Sequence, residues 1–204
     1  PKMKKLVVIA ATCALLGSTT AVLAAGDATA GKAKSATCAA CHNPDGNSTN
    51  PQYPKLAGQS TDYLLKQLQE FKSGARANPI MAGMVAPLSP QDMEDLAAYF
   101  ASQQVTRAAA DPALAPVGEA LFRGGDLNSG VPACSACHGA TGAGNPAAKF
   151  PALAGQHAEY AEIQLKAFRA MERSNDAGQM MRVIAAKLTD PQIKAVSSYV
   201  QGLQ

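Results

Sequence analysis

Two copies of one five-residue pattern, Cys38-Ala39-Ala40-Cys41-His42 and Cys134-Ser135-Ala136-Cys137-His138, limit what this chain can become. Two thiols one helical turn apart, with an imidazole on the next residue, fit one edge of a porphyrin. Each thiol can add to a vinyl group, and the histidine then meets the iron. A dithiol redox centre would explain one such string. Two strings, each followed by a similar tract, point to two covalently bound haem c groups. They use every cysteine after residue 24, so none remains for a disulfide.

Residues 1–24 read as an export signal. Lys2, Lys4 and Lys5 form a basic start, Leu6 to Leu16 an apolar stretch, and Val22-Leu23-Ala24 a small-residue cleavage site. The apolar stretch is too short to span a bilayer. Pro1 and Lys2 stand ahead of Met3, the expected initiator. Cys13 follows Ala10-Ala11-Thr12, which is not a lipoprotein context, so it is expected to leave with the signal. A periplasmic location follows as an expectation, in a compartment where disulfides are also allowed.

The chain has 18 basic and 15 acidic side chains, and Lys2, Lys4 and Lys5 are the whole surplus. The remainder is formally neutral. A nucleic-acid surface is therefore not expected, nor a polybasic membrane anchor.

Self-comparison shows an internal duplication. Pro54-Lys55-Leu56-Ala57-Gly58-Gln59 recurs as Pro151-Ala152-Leu153-Ala154-Gly155-Gln156, and Tyr63, Leu68 and Phe71 recur as Tyr160, Leu165 and Phe168. Further on, Met81 to Ser89 matches Met181 to Thr189, and Tyr99 matches Tyr199. The expected organisation is a signal over 1–24, domains over 25–105 and 117–204, and a linker over 106–116. Each half is expected to be helical. Helices are predicted over 28–41 and 117–123, over 61–72 and 158–172, and after Ser89-Pro90 and Thr189-Asp190-Pro191, which carry helix-start signals. Residues 124–132 read as an inserted loop, and no stretch alternates as a strand would. Halves of about 80 residues are marginal without added apolar bulk, which a covalent porphyrin would supply.

His42 and His138 are the expected proximal ligands, each turned by a hydrogen bond to a loop carbonyl, with Pro54 and Pro151 as candidates. His157 faces Ser60 in the repeat and reads as an ordinary polar residue. Methionine sulfur is the natural distal ligand of an electron carrier. Only Met81 and Met181 occupy equivalent places in both halves, with Met84 and Met180 as near alternatives. Met84, Met93, Met171 and Met180 otherwise read as packing residues.

These features together resemble the cytochrome c4 family of dihaem electron carriers. The resemblance rests on both C-x-x-C-H strings, both Pro-x-Leu-Ala-Gly-Gln tracts, Met81-Ala82-Gly83-Met84 ahead of Pro87-Leu88-Ser89, and Met181-Arg182 ahead of Ala185-Ala186-Lys187-Leu188. It implies an all-α fold of two tandem class I cytochrome c domains about a pseudo-twofold axis, with axial ligands at His42, Met81, His138 and Met181. It also implies a monomeric respiratory electron carrier rather than an enzyme. Its partners would be a quinol-oxidising bc-type complex and a terminal haem-copper oxidase, met free in the periplasm or loosely on the membrane. The competing readings are the cytochrome subunit of a flavocytochrome-type dehydrogenase and, with less support, a dihaem peroxidase.

Overall fold

A computed structural model describes residues 26–203, and the proposed signal segment lies outside them. The first half contains α1 (Ala28–Lys34), a 3-10 turn (Ser35–Thr37), α2 (Ala39–His42), α3 (Thr61–Ser73), α4 (Pro79–Val85) and α5 (Pro90–Ala101). The second contains α6 (Ala115–Gly124), α7 (Ser135–His138), α8 (Ala158–Arg169), a 3-10 turn (Ala177–Gln179), α9 (Met180–Ala185) and α10 (Asp190–Gly202). Among the described residues the only β pairing is two isolated bridges, one of which, Asp126 with Val131, closes the inserted loop.

In each half the first helix crosses the last, and a glycine makes the crossing. A Cβ on Gly31 would lie 2.0 Å from the Asp95 carbonyl oxygen, and one on Gly118 would lie 2.3 Å from that of Ala195. The halves then diverge. Beside Gly31 the crossing is polar: the buried Asp95 carboxylate accepts from Lys34 Nζ at 2.8 Å, Asp27 N at 2.9 Å and Gln91 Nε2 at 2.9 Å. Beside Gly118 it is apolar, with Leu121 and the fully buried Phe122 packed on Ile193, Val196 and Val200. The last helices open as expected, each on a capping box: Ser89 with Asp92 and Thr189 with Gln192.

Several boundaries differ from expectation. The 28–41 helix is broken by its 3-10 turn, where Ser35 Oγ donates to Lys32 O and competes with the backbone ladder. The linker gives up its last residues, because Pro116 fits the first turn of α6. Helix α8 stops at Arg169 rather than near Glu172. Met171 sits beyond it in a left-handed conformation (φ 63°), the role Gly74 (φ 82°) fills after α3. Met171 is 62% exposed, so it is neither helical nor a packing residue. Met84 and Met180, 39% and 40% exposed, also lie outside the protein's own core, whereas Met93 packs as expected. Helices α4 and α9 were not anticipated, although Asn78 ahead of Pro79 is a start signal and Asn78 Oδ1 does accept from Met81 N at 3.0 Å.

The linker is tied at both ends. Asn47 accepts from Thr106 N at 2.7 Å and donates to Gln104 O at 2.9 Å. On the other side Ser198 Oγ accepts from Asp111 N at 2.9 Å, and Gln201 Nε2 donates to Ala109 O at 2.9 Å.

Candidate haem sites and the interface between them

Each cysteine string occupies a single turn of helix ending on its histidine, α2 for His42 and α7 for His138. Both imidazoles are buried, and in both Nδ1 lies 2.9 Å from a proline carbonyl, Pro54 for His42 and Pro151 for His138. A carbonyl can only accept, so Nδ1 carries the proton and Nε2 is left with its lone pair. Burial pushes both imidazoles below their usual pKa, which keeps them neutral and able to bind a metal.

Among the described residues Cys38, Cys41, Cys134 and Cys137 form no disulfide. Burial pushes Cys134 up to about 11 and raises Cys38 as well. Neither shift is the depression that activates a redox dithiol. Cys38 packs against the core of Leu64, Leu96 and Phe100, and Cys134 against that of Leu121, Val131 and Leu188. Paired thiols, a neutral imidazole with Nε2 free, and adjacent apolar walls fit a covalently held porphyrin. Met81 lies in the first turn of α4, whose helix packs on α3, and Met181 in the first turn of α9, whose helix packs on α8.

The residues that join the halves have no role legible from the sequence alone. Gln156 Nε2 donates to Lys55 O at 2.9 Å, and its Oε1 accepts from Lys55 N at 2.9 Å. Gln59 repeats this on Ala152, donating at 3.0 Å and accepting at 2.8 Å. Beside this exchange lies a buried polar lattice. Arg76 donates to Gln67 (2.8 Å), Tyr160 (2.9 Å) and Gln164 (2.9 Å), while Arg173 donates to Gln164 (2.8 Å), Tyr63 (2.9 Å) and Gln67 (3.2 Å). Each guanidinium also covers a phenylalanine of its own half, Phe71 and Phe168, at 4.6 and 4.5 Å. The exchange of partners makes the pseudo-twofold axis explicit. The signal was present in the repeat, since Arg76 follows Tyr63 at the spacing with which Arg173 follows Tyr160. His157 is also part of this boundary, its Nε2 donating to Ser48 O at 2.7 Å.

Fold and site together define a tandem c-type cytochrome. The family model for cytochrome c matches twice, over residues 28–104 and 118–204. A cytochrome c4 of Stutzerimonas stutzeri is 54% identical, over 92% of this chain and 94% of its own length. The crystal structure of reduced recombinant cytochrome c4 from Pseudomonas stutzeri superposes with a TM-score of 0.86 at 54% identity, covering 88% of this chain and 100% of that one. A thiosulfate dehydrogenase electron acceptor of Thiomonas intermedia (strain K12) is 40% identical, over 82% of this chain and 78% of its own length. The chain belongs to the cytochrome c4 family. It is accordingly an electron carrier with two covalent haem c groups. No helix among the described residues is long and apolar enough to cross a membrane.

Proposed function

We propose that this chain is a periplasmic respiratory shuttle, which takes electrons from a quinol-oxidising bc-type complex or a small donor and passes them to a terminal haem-copper oxidase. The observation that carries this reading is the matched pair of sites. Each has a buried neutral imidazole fixed by the proline carbonyl at the equivalent place, Pro54 or Pro151, and each is followed by a methionine at the equivalent place in the repeat. In this reading Cys38 and Cys41 hold the first haem, with His42 and Met81 as axial ligands. Cys134 and Cys137 hold the second, with His138 and Met181. Iron with protein ligands on both faces has no open position for a substrate, which suits transfer rather than turnover. The two domains form one docked pair, joined by the Gln59 and Gln156 exchange, so both electrons travel on one body.

The resemblance to a thiosulfate dehydrogenase electron acceptor favours a second reading, in which the donor is a sulfur-compound dehydrogenase. Stopped-flow reduction of the oxidised holoprotein separates the two. Rapid reduction by quinol-driven membranes, and reoxidation by oxidase-containing membranes, is the expected result. Reduction by a thiosulfate-oxidising enzyme alone would move the protein to the second reading. Recovery of the holoprotein from cytoplasm rather than periplasm would refute the export of residues 1–24.

A further inference from the structure

The carbonyl that fixes His42 and the amide that Gln156 grips belong to one peptide unit, Pro54–Lys55. Its oxygen accepts from His42 Nδ1 at 2.9 Å, and its N–H donates to Gln156 Oε1 at 2.9 Å. The peptide unit Pro151–Ala152 repeats the arrangement: its oxygen accepts from His138 Nδ1 at 2.9 Å, and its N–H donates to Gln59 Oε1 at 2.8 Å. Each imidazole is thus joined, through one peptide plane, to a glutamine of the opposite half.

Both glutamines are held in place. Gln59 Oε1 also accepts from Ser60 N, and Gln156 Oε1 from His157 N, each at 3.0 Å. Each Nε2 donates to the carbonyl of the same residue whose N–H donates to Oε1, Lys55 for Gln156 and Ala152 for Gln59. A side-chain amide can donate and accept at once in this way. Tethering by a single bond could have been met by many residues.

We propose that Gln156 tunes the first haem site through the Pro54–Lys55 peptide, and Gln59 the second through Pro151–Ala152, so that each domain sets the proximal ligand of the other. The inference rests on His42 and His138 being the proximal ligands. Hydrogen bonds in series polarise one another, by roughly 10–30% per bond. An N–H drawn toward glutamine leaves its carbonyl a better acceptor, which draws the imidazole proton outward and makes Nε2 a stronger donor. A stronger donor favours the oxidised iron and lowers its potential. The glutamines are positioning residues, since they touch neither the ligand nor the iron.

The test uses holoprotein variants Gln156→Leu and Gln59→Leu, which keep the side chain's approximate size and remove both its bonds. Nitrogen-15 histidine NMR reads the Nδ1–H of each imidazole, and a spectroelectrochemical titration reads each haem. Gln156→Leu should move the Nδ1–H of His42 upfield and raise the midpoint of the first haem. At a fixed ambient potential its oxidised-to-reduced ratio should fall several-fold, while His138 and the second haem stay put. Gln59→Leu should give the mirror result, so either variant alone carries the test. A change confined to the variant's own half, an equal change in both halves, or no change would overturn the proposal. Failure of the ligand assignment has its own signature: in the oxidised wild type, the ring nitrogens of His42 and His138 would lack paramagnetic shifts. That result would overturn the proposal together with the reading beneath it.

Discussion

Replacing Gly118 by alanine probes the crossing on which the second domain is built. The added Cβ would lie 2.3 Å from Ala195 O, 2.6 Å from Tyr199 Cβ and 2.9 Å from Ala195 C. Ordinary contacts begin near 3.4 Å, so α6 and α10 must part by about an ångström, and the obstacle is mainly backbone. Overpacking of this kind costs about 1–3 kcal/mol. The obstacle's stiffness argues for the upper end, and alanine's better helix propensity returns up to about 1 kcal/mol. The expected net loss is about 2 kcal/mol, a large part of what a domain this size holds. Gly83 is the control: it lies in α4 with nothing within 4 Å of its Cβ position. Gly83→Ala should be neutral or stabilise by up to about 1 kcal/mol. Guanidinium unfolding of the holoproteins, followed by far-UV circular dichroism, measures both. A Gly118→Ala midpoint equal to wild type at an unchanged slope would refute the packing argument.

Three further outcomes are expected. Met81→Ala should abolish the methionine-to-iron charge-transfer band of one haem and lower that haem's potential, whereas Met84→Ala should leave the band; the visible spectrum of the oxidised protein decides. Arg76→Met removes bonds to Gln67, Tyr160 and Gln164 and should destabilise the domain pair by about 2–4 kcal/mol, seen as loss of thermal stability in both halves. The hydrogen bond from Lys34, aided by Asp27 N and Gln91, lowers the Asp95 pKa from 3.8 to about 2. The stability it contributes is therefore complete above pH 3.8 and lost as pH falls through 2; Asp95→Asn should flatten that stretch of the unfolding-versus-pH curve.

The elements that were legible in the sequence share a cause, which is that their signals are local. The strings at 38–42 and 134–138, the capping residues Ser89 and Thr189, and the amphipathic pattern of α3 each depend on neighbours within a turn or two. The duplication added a second reading of each position. Helix α4 is announced only by Asn78-Pro79, and its seven residues are too few for an apolar stripe to repeat. Helix α9 has no such announcement: its N-cap is Gln179 at φ 62°, and Asp176 receives Arg182 N at 3.0 Å across the preceding turn.

The sequence by itself determined that this chain carries two haem-binding units of one ancestral pattern, since covalent attachment needs only five consecutive residues. It also held the equivalence of Arg76 with Arg173 and of Gln59 with Gln156. Only the tertiary structure decided what those pairs do. A glutamine at the end of a Pro-x-Leu-Ala-Gly-Gln tract has no local partner that reveals its task; its partners lie 101 and 93 residues away, on the other half. The same holds at the helix crossings, where Asp95 with Lys34 and Leu121 with Phe122 solve one packing problem by opposite chemistry. Which solution a position needs is set by what faces it across the interior, and that neighbour is chosen by the fold.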